Sequence, residues 1–483
     1  MITNDATLLK VKHEVLYEVA KLAYAGRLEE ERDSLPYKMV PGPQPAFRCC
    51  IYREREVIRQ RIRLAEGKAP GAEDDGNIVQ VINSACEGCP ISRYVVTDNC
   101  QKCMGKACQA ACRFGAISMG RDKSYIDPSK CKECGQCAKA CPYNAIADLV
   151  RPCMKSCPVD AISVADNGTG IAVINQDKCI QCGSCVHKCP FGAIGSKTFI
   201  VDIIKKMRSD IKVFAMLAPA TIGQFGADIT MASWRTALKK IGFYDVVDVS
   251  LGADMTAMNE AKEWIEAKEK GEKKTTSCCP AFKNYIEKHF PTLKDAISET
   301  VSPMCAASRY IKEKFPGAVT VFIGPCIAKK AESMSGEKDT ADYALTYGEI
   351  RAMLRAKGVK LEPEEDTDDQ GSIYGKKFAN AGGVTAAVLE SMKELGCTGD
   401  VSVCKCSGIT ECKKALTLMK VGRLPEDFIE GMVCEGGCVG GPSRHRDPNL
   451  AMRDRNAALA KSSYILIKDN LDKQNAETVD MIR

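Results

Sequence analysis

Twenty-eight cysteines against four histidines in 483 residues mark where the chemistry of this sequence lies. Sixteen of them fall between residues 86 and 195, in short-spaced runs. Cys131, Cys134, Cys137 and Cys141 before Pro142 form the pattern C-x2-C-x2-C-x3-C-P, and Cys179, Cys182, Cys185 and Cys189 before Pro190 repeat it. Thiolates at that spacing hold iron–sulfur cubanes: the first three grip one 4Fe–4S cluster and the fourth reaches to a neighbouring one. A zinc ion takes separated C-x2-C pairs, often with histidine, so triple runs ending in proline speak against zinc. Disulfides suit short secreted chains. This chain is long, and its first residues, MITNDATLLKVKHEVLYEVAKLAYAGRL, lack the continuous apolar core of a secretory signal. A reducing, cytoplasmic setting is expected.

These are ferredoxin-like runs, and the reciprocal rule assigns their ligands. A variant third run is Cys100, Cys103, Cys108 and Cys112. It pairs with the 131 run, so that Cys100, Cys103, Cys108 and Cys141 hold one cluster and Cys131, Cys134, Cys137 and Cys112 another. A fourth unit is truncated to Cys153-x3-Cys157-Pro158. Cys157 then completes the set Cys179, Cys182 and Cys185. Cys189 and Cys153 need two more ligands, which Cys86-x2-Cys89 supplies. Three to four 4Fe–4S clusters are therefore expected. GAI (115–117), NAI (144–146), DAI (160–162) and GAI (192–194) recur after the units, the mark of an internal repeat. Such a relay moves electrons without saying to what.

Three more motifs follow: TSCCPAF (276–282), GPCIAKK (324–330) and EGMVCEGGCVGG (430–441). In this order, behind ferredoxin-like runs, they resemble the FeFe-hydrogenases over about residues 213–442. The resemblance implies reversible interconversion of dihydrogen with protons and electrons at an H-cluster. That cofactor is a 4Fe–4S cubane joined to a two-iron unit carrying carbonyl, cyanide and azadithiolate ligands. By motif its protein ligands are Cys279, Cys326, Cys434 and Cys438, with Cys438 as the bridge. Lys329 matches a lysine that hydrogen-bonds a cyanide. Ala218 and Pro219 match a loop offering backbone N–H to the other cyanide, and Met432 a methionine packed on the cluster. Cys278 matches the thiol that passes protons, and Glu260, Ser298 and Glu263 the rest of the relay to solvent. The implied partners are a ferredoxin or similar electron carrier and the hydrogenase maturation proteins. A hydrogen-sensing regulator of low turnover is the alternative, disfavoured by the retained Cys278.

Some positions depart from the usual pattern. Gly324 stands where the best-known members have methionine, Met304 where glutamine is usual, and Phe282 for a common tryptophan. The third signature ends GGPSRH. These departures resemble the branch often called group B.

The elements that must position these residues follow from periodicity. Residues 1–80 read as a helical region, with a packing helix over 52–66 and a loop over 67–77. Residues 81–200 form the ferredoxin-like region, 201–445 the catalytic domain and 446–483 a helical tail to which no chemistry is assigned. Apolar runs at 213–219, 246–251 and 319–325 read as strands alternating with helices. The expected fold is thus α/β and α+β multidomain: 4Fe–4S domains, then a two-lobed α/β hydrogenase domain. Residues 253–271 read as a helix capped by Asp254 or Thr256 and stopped by Gly271, with Met258, Ala261 and Ile265 inward. Glu260 and Glu263, three apart, are neighbours on its surface. Gly436 and Gly437 are expected to let the backbone approach the cluster.

The net charge of +6 is mild, which gives no footprint for nucleic acid. No apolar run reaches eighteen residues, so no membrane span is expected. No G-x-G-x-x-G follows a strand, which disfavours a nicotinamide cofactor. Cys397, Cys404, Cys406 and Cys412 fit no ferredoxin run and read as free thiols. Cys49, Cys50, Cys305 and the histidines show no ligand pattern.

Overall fold

The computed structural model describes residues 7–48, 50–71, 74–86, 89, 92–165, 168–365, 370–397, 399–462 and 465–483. Cys49 and positions 72–73 of the 67–77 loop lie outside the described residues.

Two parallel sheets carry the catalytic half. In the four-stranded sheet Val213–Leu217 lies between Asp245–Asp248 and Val319–Ile323, with Tyr343–Leu345 outermost. In the three-stranded sheet Phe428–Met432 lies between Lys274–Thr275 and Val403–Ser407. Both central strands are buried along their whole length, as a parallel strand covered on both faces requires. The exception in composition is Glu430. Its carboxylate accepts the N–H groups of Gly382 and Thr385 at 2.8 and 2.9 Å, at the start of helix Gly383–Glu394. A negative charge there is favoured by the helix dipole.

The strand expected over 246–251 stops at Asp248 and the chain turns directly into helix Val249–Glu269. The cap is Asp248, not Asp254 or Thr256. Its carboxylate accepts the Ser250 N–H at 2.8 Å and the Ser250 hydroxyl at 2.7 Å. Asp254 and Thr256 are fully buried inside the helix. Asp254 accepts the Ser372 N–H at 2.8 Å and an Asn470 amide N–H at 2.7 Å. Burial nonetheless holds its pKa up at about 7. Gly271, with φ +69°, follows the helix end. The inward face comprises Ala257, Glu260, Ala261, Trp264 and Ala267; Met258 and Ile265 are half-buried at its border.

Among the described residues of 79–196 the strands form short antiparallel pairs, with helices of four or five residues between them: Val79–Val81 with Ile194–Ser196, Tyr94–Val96 with Ile146–Asp148, Ile117–Met119 with Ser124–Ile126, and Ile162–Val164 with Ala172–Ile174. The recurrent Gly/Asn/Asp-Ala-Ile has a common cause. Gly115, Asn144, Asp160 and Gly192 all take positive φ, between +49° and +61°, a conformation open to glycine and tolerated by Asn and Asp. That turn aims the next amide back at sulfur. Ala116, Ala145, Ala161 and Ala193 donate N–H to Cys112, Cys141, Cys157 and Cys189 at 3.2–3.4 Å.

Helices Leu8–Ala25 and Ile51–Ala65 cover the four-stranded sheet. Val11, Val15, Val19, Ile58 and Ile62 share one core with Val213, Ala215 and Leu217. The C-terminal segment packs as helices Pro448–Leu459 and Ile467–Gln474, which place Ala451, Ile467 and Leu471 in the catalytic core. No helix among the described residues is long and apolar enough to cross a membrane.

Candidate active site

Four of the expected thiol sets gather as quartets in the ferredoxin-like region. Cys100, Cys103, Cys108 and Cys141 line one small cavity, and Cys112, Cys131, Cys134 and Cys137 line another. Cys86, Cys153 and Cys189 share one packed cluster, with Cys157 and Cys185 against it. Burial first, then neighbouring cysteines that include Cys157, push the thiols of Cys179, Cys182 and Cys185 up. Burial, then Cys189, Cys89 and Cys86, push the Cys153 thiol up to about 11. The Ala172 N–H points at Cys86 Sγ, 3.2 Å away. No three Cys, His, Asp or Glu side chains are arranged for a single metal ion among the described residues. The first two quartets surround small voids, which suits a cluster with its own sulfides.

The catalytic cavity opens between the two sheets, at the carboxyl ends of their strands, where α/β proteins bind ligands. Ala218 and Pro219 follow one strand of the first sheet and Cys326 another. Cys278 and Cys279 follow a strand of the second, as does Cys434. All six line the cavity together with Cys438, Lys329, Met304, Phe322 and Met432. About 860 Å³ there is not filled by protein atoms, a figure that includes open solvent.

The donor set fits a multi-iron cofactor. Burial, then the charge of neighbouring cysteines, pushes the Cys326 thiol up to about 12. The same two causes, in the same order, hold Cys438 at about 11 and Cys434 well above the ordinary thiol range. A dry cage of mutually repelling thiols becomes a set of thiolates only around a compensating positive centre. Cys182 also lines this cavity, so the nearest ferredoxin-like quartet abuts it. Gly183 permits that approach: a Cβ there would lie 2.5 Å from the Ile327 side chain. The Lys288 ammonium binds the Cys179 carbonyl at 2.8 Å from helix Pro280–His289, which starts at Cys279.

Of the two glycines between Cys434 and Cys438 in the third signature, Gly437 packs against backbone, and Gly436 borders open space. A Cβ on Gly437 would strike the Ala379 carbonyl at 2.5 Å and the Ala381 nitrogen at 2.7 Å. The crowding is with backbone 379–381, whose Ala379 carbonyl accepts the Cys438 N–H at 2.8 Å. At Gly324 a Cβ would meet the Phe322 ring at 2.8 Å and Ala218 at 2.9 Å. The phenyl ring therefore occupies the space into which a side chain at 324 would project.

The four residues expected to carry protons grade from buried to partly exposed. Glu260 is fully buried, and neither carboxylate oxygen has a hydrogen-bond partner. Burial, then the nearby Glu263 charge, raises its pKa to about 8. The Ser277 amide and Ser298 hydroxyl lie near and pull the other way, without a hydrogen bond of normal geometry to either oxygen, and burial outweighs them. Ser298 donates its hydroxyl to Glu263 at 2.6 Å, and Thr300 donates to the same carboxylate at 3.2 Å. Glu263 is 18% exposed and lies 3.7 Å from Lys274, so it marks the outer end. Cys278 is buried at the inner end. Burial, then the Glu260 charge, holds its thiol well above the usual range.

Lys329 lines the cavity but is already engaged. Its ammonium donates to Ser302 Oγ at 2.9 Å, pairs with Glu332 at 2.6 Å and makes a long 3.4 Å contact to the Cys278 carbonyl. Burial opposes its charge, and Glu332 outweighs that, so its pKa stays raised. Ser302 and Glu332 were invisible as partners in the sequence. Arg455, from the C-terminal tail, was too. It is fully buried and donates to the Pro219 carbonyl at 2.5 Å and Asn380 Oδ1 at 2.9 Å. Arg483 donates to Ser277 Oγ at 3.2 Å, beside Cys278.

Comparison with known proteins agrees with this architecture. Residues 211–442 match the family model for the iron-only hydrogenase large subunit, C-terminal domain. Residues 124–147 match a 4Fe-4S binding domain and 151–193 a 4Fe-4S dicluster domain. The chain is 31% identical to iron hydrogenase 1 of Clostridium pasteurianum over 68% of its own length and 66% of that protein's, just under two thirds. It is 29% identical to the periplasmic [Fe] hydrogenase large subunit of Nitratidesulfovibrio vulgaris over 51% of this chain and 72% of that one. An apo FeFe-hydrogenase structure from Chlamydomonas reinhardtii overlays with a TM-score of 0.47 at 20% identity, covering 56% of this chain and 92% of that one. By its residues 211–442, preceded by 4Fe–4S binding modules, the chain belongs to the iron-only hydrogenase family.

Proposed function

We propose that the protein is an FeFe-hydrogenase that interconverts dihydrogen with protons and electrons, and exchanges the electrons through its 4Fe–4S clusters with a ferredoxin-type carrier. The observation that carries this reading is the convergence of Cys279, Cys326, Cys434 and Cys438 on one cavity that Cys278 also lines. When bound, the six-iron H-cluster supplies the redox centre at which dihydrogen and protons interconvert. Everything else falls to the chain. The four thiolates would hold the cofactor, Cys438 in the bridging role that the resemblance implies, because soft sulfur ligands suit iron–sulfur sites. Lys329, kept cationic by Glu332, would offer N–H to anionic cofactor ligands. The Ala218-Pro219-Ala220 stretch would offer the Ala220 N–H, since the Ala218 N–H is donated to the Ile323 carbonyl at 2.9 Å. Met304, Phe322 and Met432 exclude water.

Protons then need a built path. Cys278 Sγ carries the inner proton. Glu260 exchanges with it, Ser298 passes a proton through its hydroxyl, and Glu263 meets solvent. The neutral form of Glu260 prevails at pH 7, since its pKa is about 8, so the buried acid is loaded to donate.

The test is infrared spectroscopy of protein matured with the hydrogenase maturation proteins. Carbonyl and cyanide bands and gas turnover are expected together. Cys278→Ala should keep the bands and lose at least about 100-fold in turnover. Matured protein without diatomic-ligand bands would remove the hydrogenase reading. Full turnover in Cys278→Ala would remove the relay alone.

A further inference from the structure

The third cysteine run differs from its sisters in a way that cluster ligation does not require. After Cys134 and Cys182 the chain places Gly135 and Gly183, which cap short helices with φ +75° and +78°. After Cys103 it inserts Met104 and Gly105, and the equivalent capping position is Lys106, with φ +43°. A lysine is poorly suited to left-handed backbone where both sisters use glycine. The inserted Met104 is 97% exposed, the most exposed large apolar side chain described. Tyr143, after the partner cysteine Cys141, is 51% exposed. Lys102, Lys106 and Tyr143 line the same small cavity as Cys100, Cys103, Cys108 and Cys141. Residues 99–121 carry Lys102, Lys106, Arg113 and Arg121 and no Asp or Glu, with Asp98 and Asp122 at the two borders. An exposed apolar tip therefore follows the ligand Cys103, and two cations, Lys102 and Lys106, line the cavity of that thiol quartet.

We propose that this Met104 loop, with Lys106 and Tyr143, is the docking point for a small acidic one-electron iron–sulfur carrier. The inference rests on the electron-relay reading above and adds where and by what chemistry the carrier binds. The thioether packs adaptably on a partner's apolar rim. The cations steer an acidic surface and give a salt-dependent on-rate. The second surface quartet is less suited, because Glu133 sits inside its own run. Electron transfer at the loop breaks no bond. The reduced carrier passes one electron to the cluster of Cys100, Cys103, Cys108 and Cys141 and leaves oxidised.

Two variants test this in the full holoenzyme, Met104→Glu and Lys106→Gly. The second removes the charge while relaxing the backbone, so it cannot act by weakening the loop. Turnover is driven either by a reduced acidic two-cluster ferredoxin or by reduced methyl viologen. The ferredoxin KM should rise roughly tenfold in each variant, with viologen-driven turnover within about twofold of the parent and iron content unchanged. An unchanged ferredoxin KM in both variants would overturn the proposal. So would a parallel fall in viologen turnover, which would mark a structural role. Met104→Glu altering only the oligomeric state on gel filtration would overturn it too, and assign the face to a second copy of the chain. Absence of viologen-driven turnover in the parent would instead sink the hydrogenase reading.

Discussion

Glu260→Gln isolates the physical idea on which the proton path rests. The parent carboxyl is fully buried, has no hydrogen-bond partner and faces the Glu263 charge. Its pKa rises from 4.5 to about 8, which corresponds to roughly 5 kcal/mol of preference for the neutral acid. About nine in ten molecules then hold the proton at pH 7, and about one in ten at pH 9. The sign of the linkage follows. The folded state keeps a proton that the unfolded chain sheds above pH 4.5. This side chain's contribution to stability is therefore full below that pH, and is lost as pH rises to about 8. Glutamine does not titrate, so the parent loses stability relative to the variant across that window, by up to roughly 5 kcal/mol. Any penalty for the buried amide is independent of pH and cancels from the slope. Infrared pH titration should reveal one buried carboxyl with a midpoint near 8 that vanishes in the variant. Hydrogen evolution, which needs a loaded acid, should fall above that pH in the parent and drop at least about 100-fold at all pH values in the variant. The reasoning fails if no such carboxyl titrates, or if the variant evolves hydrogen at the parent rate.

Other perturbations probe separate parts. Cys86→Ala should lower the iron content by about four atoms per chain, one cubane, with the other clusters retained; an unchanged iron count would remove the fourth cluster. Arg61→Gln should lower the midpoint potential of that same cluster in an electron-paramagnetic-resonance titration. The buried guanidinium donates to the Gly192 carbonyl at 2.7 Å, three residues past Cys189. Although burial brings its pKa down to about 10, it stays cationic at pH 7 and favours the more negative reduced cluster. Four unchanged midpoints would contradict this. Gly431→Ala should cost about 1–3 kcal/mol by overpacking, because its Cβ would lie 2.2 Å from the Phe282 ring. Recovery of the melting temperature in Gly431→Ala with Phe282→Leu checks that the ring is the cause.

What the sequence made legible was whatever one local rule governs. Cysteine spacing with the reciprocal rule groups the sixteen ferredoxin-region thiols as the structure gathers them. Gly/Asn/Asp-Ala-Ile repeats because one left-handed residue turns an amide onto sulfur. Apolar runs located Val213–Leu217 and Val319–Ile323 as strands. Local rules misplaced the relay helix. Asp254 and Thr256 look like caps, and only tertiary burial shows that they lie inside the helix that Asp248 starts: Asp254 faces Ser372 and Asn470, 118 and 216 residues away. The support of the site was illegible for the same reason. Glu332 fixes the charge of Lys329 from one turn away, which periodicity alone reads as an ordinary surface pair.

The tail beyond residue 446 shows why that distinction matters for function. Its helices look like generic amphipathic packing, yet Arg455 bridges the Pro219 carbonyl and Asn380. Asn380 in turn is bridged to Gly437, beside Cys438. One buried guanidinium therefore ties the Ala218–Pro219 loop to the segment that carries Cys438. A cage assembled from distant loops holds its geometry only if some rigid element couples those loops. Here the coupling comes from an element that contributes no ligand. Loop-to-loop precision in this fold is set by buried polar contacts of high sequence separation, and these leave no periodic trace for a sequence reading to find.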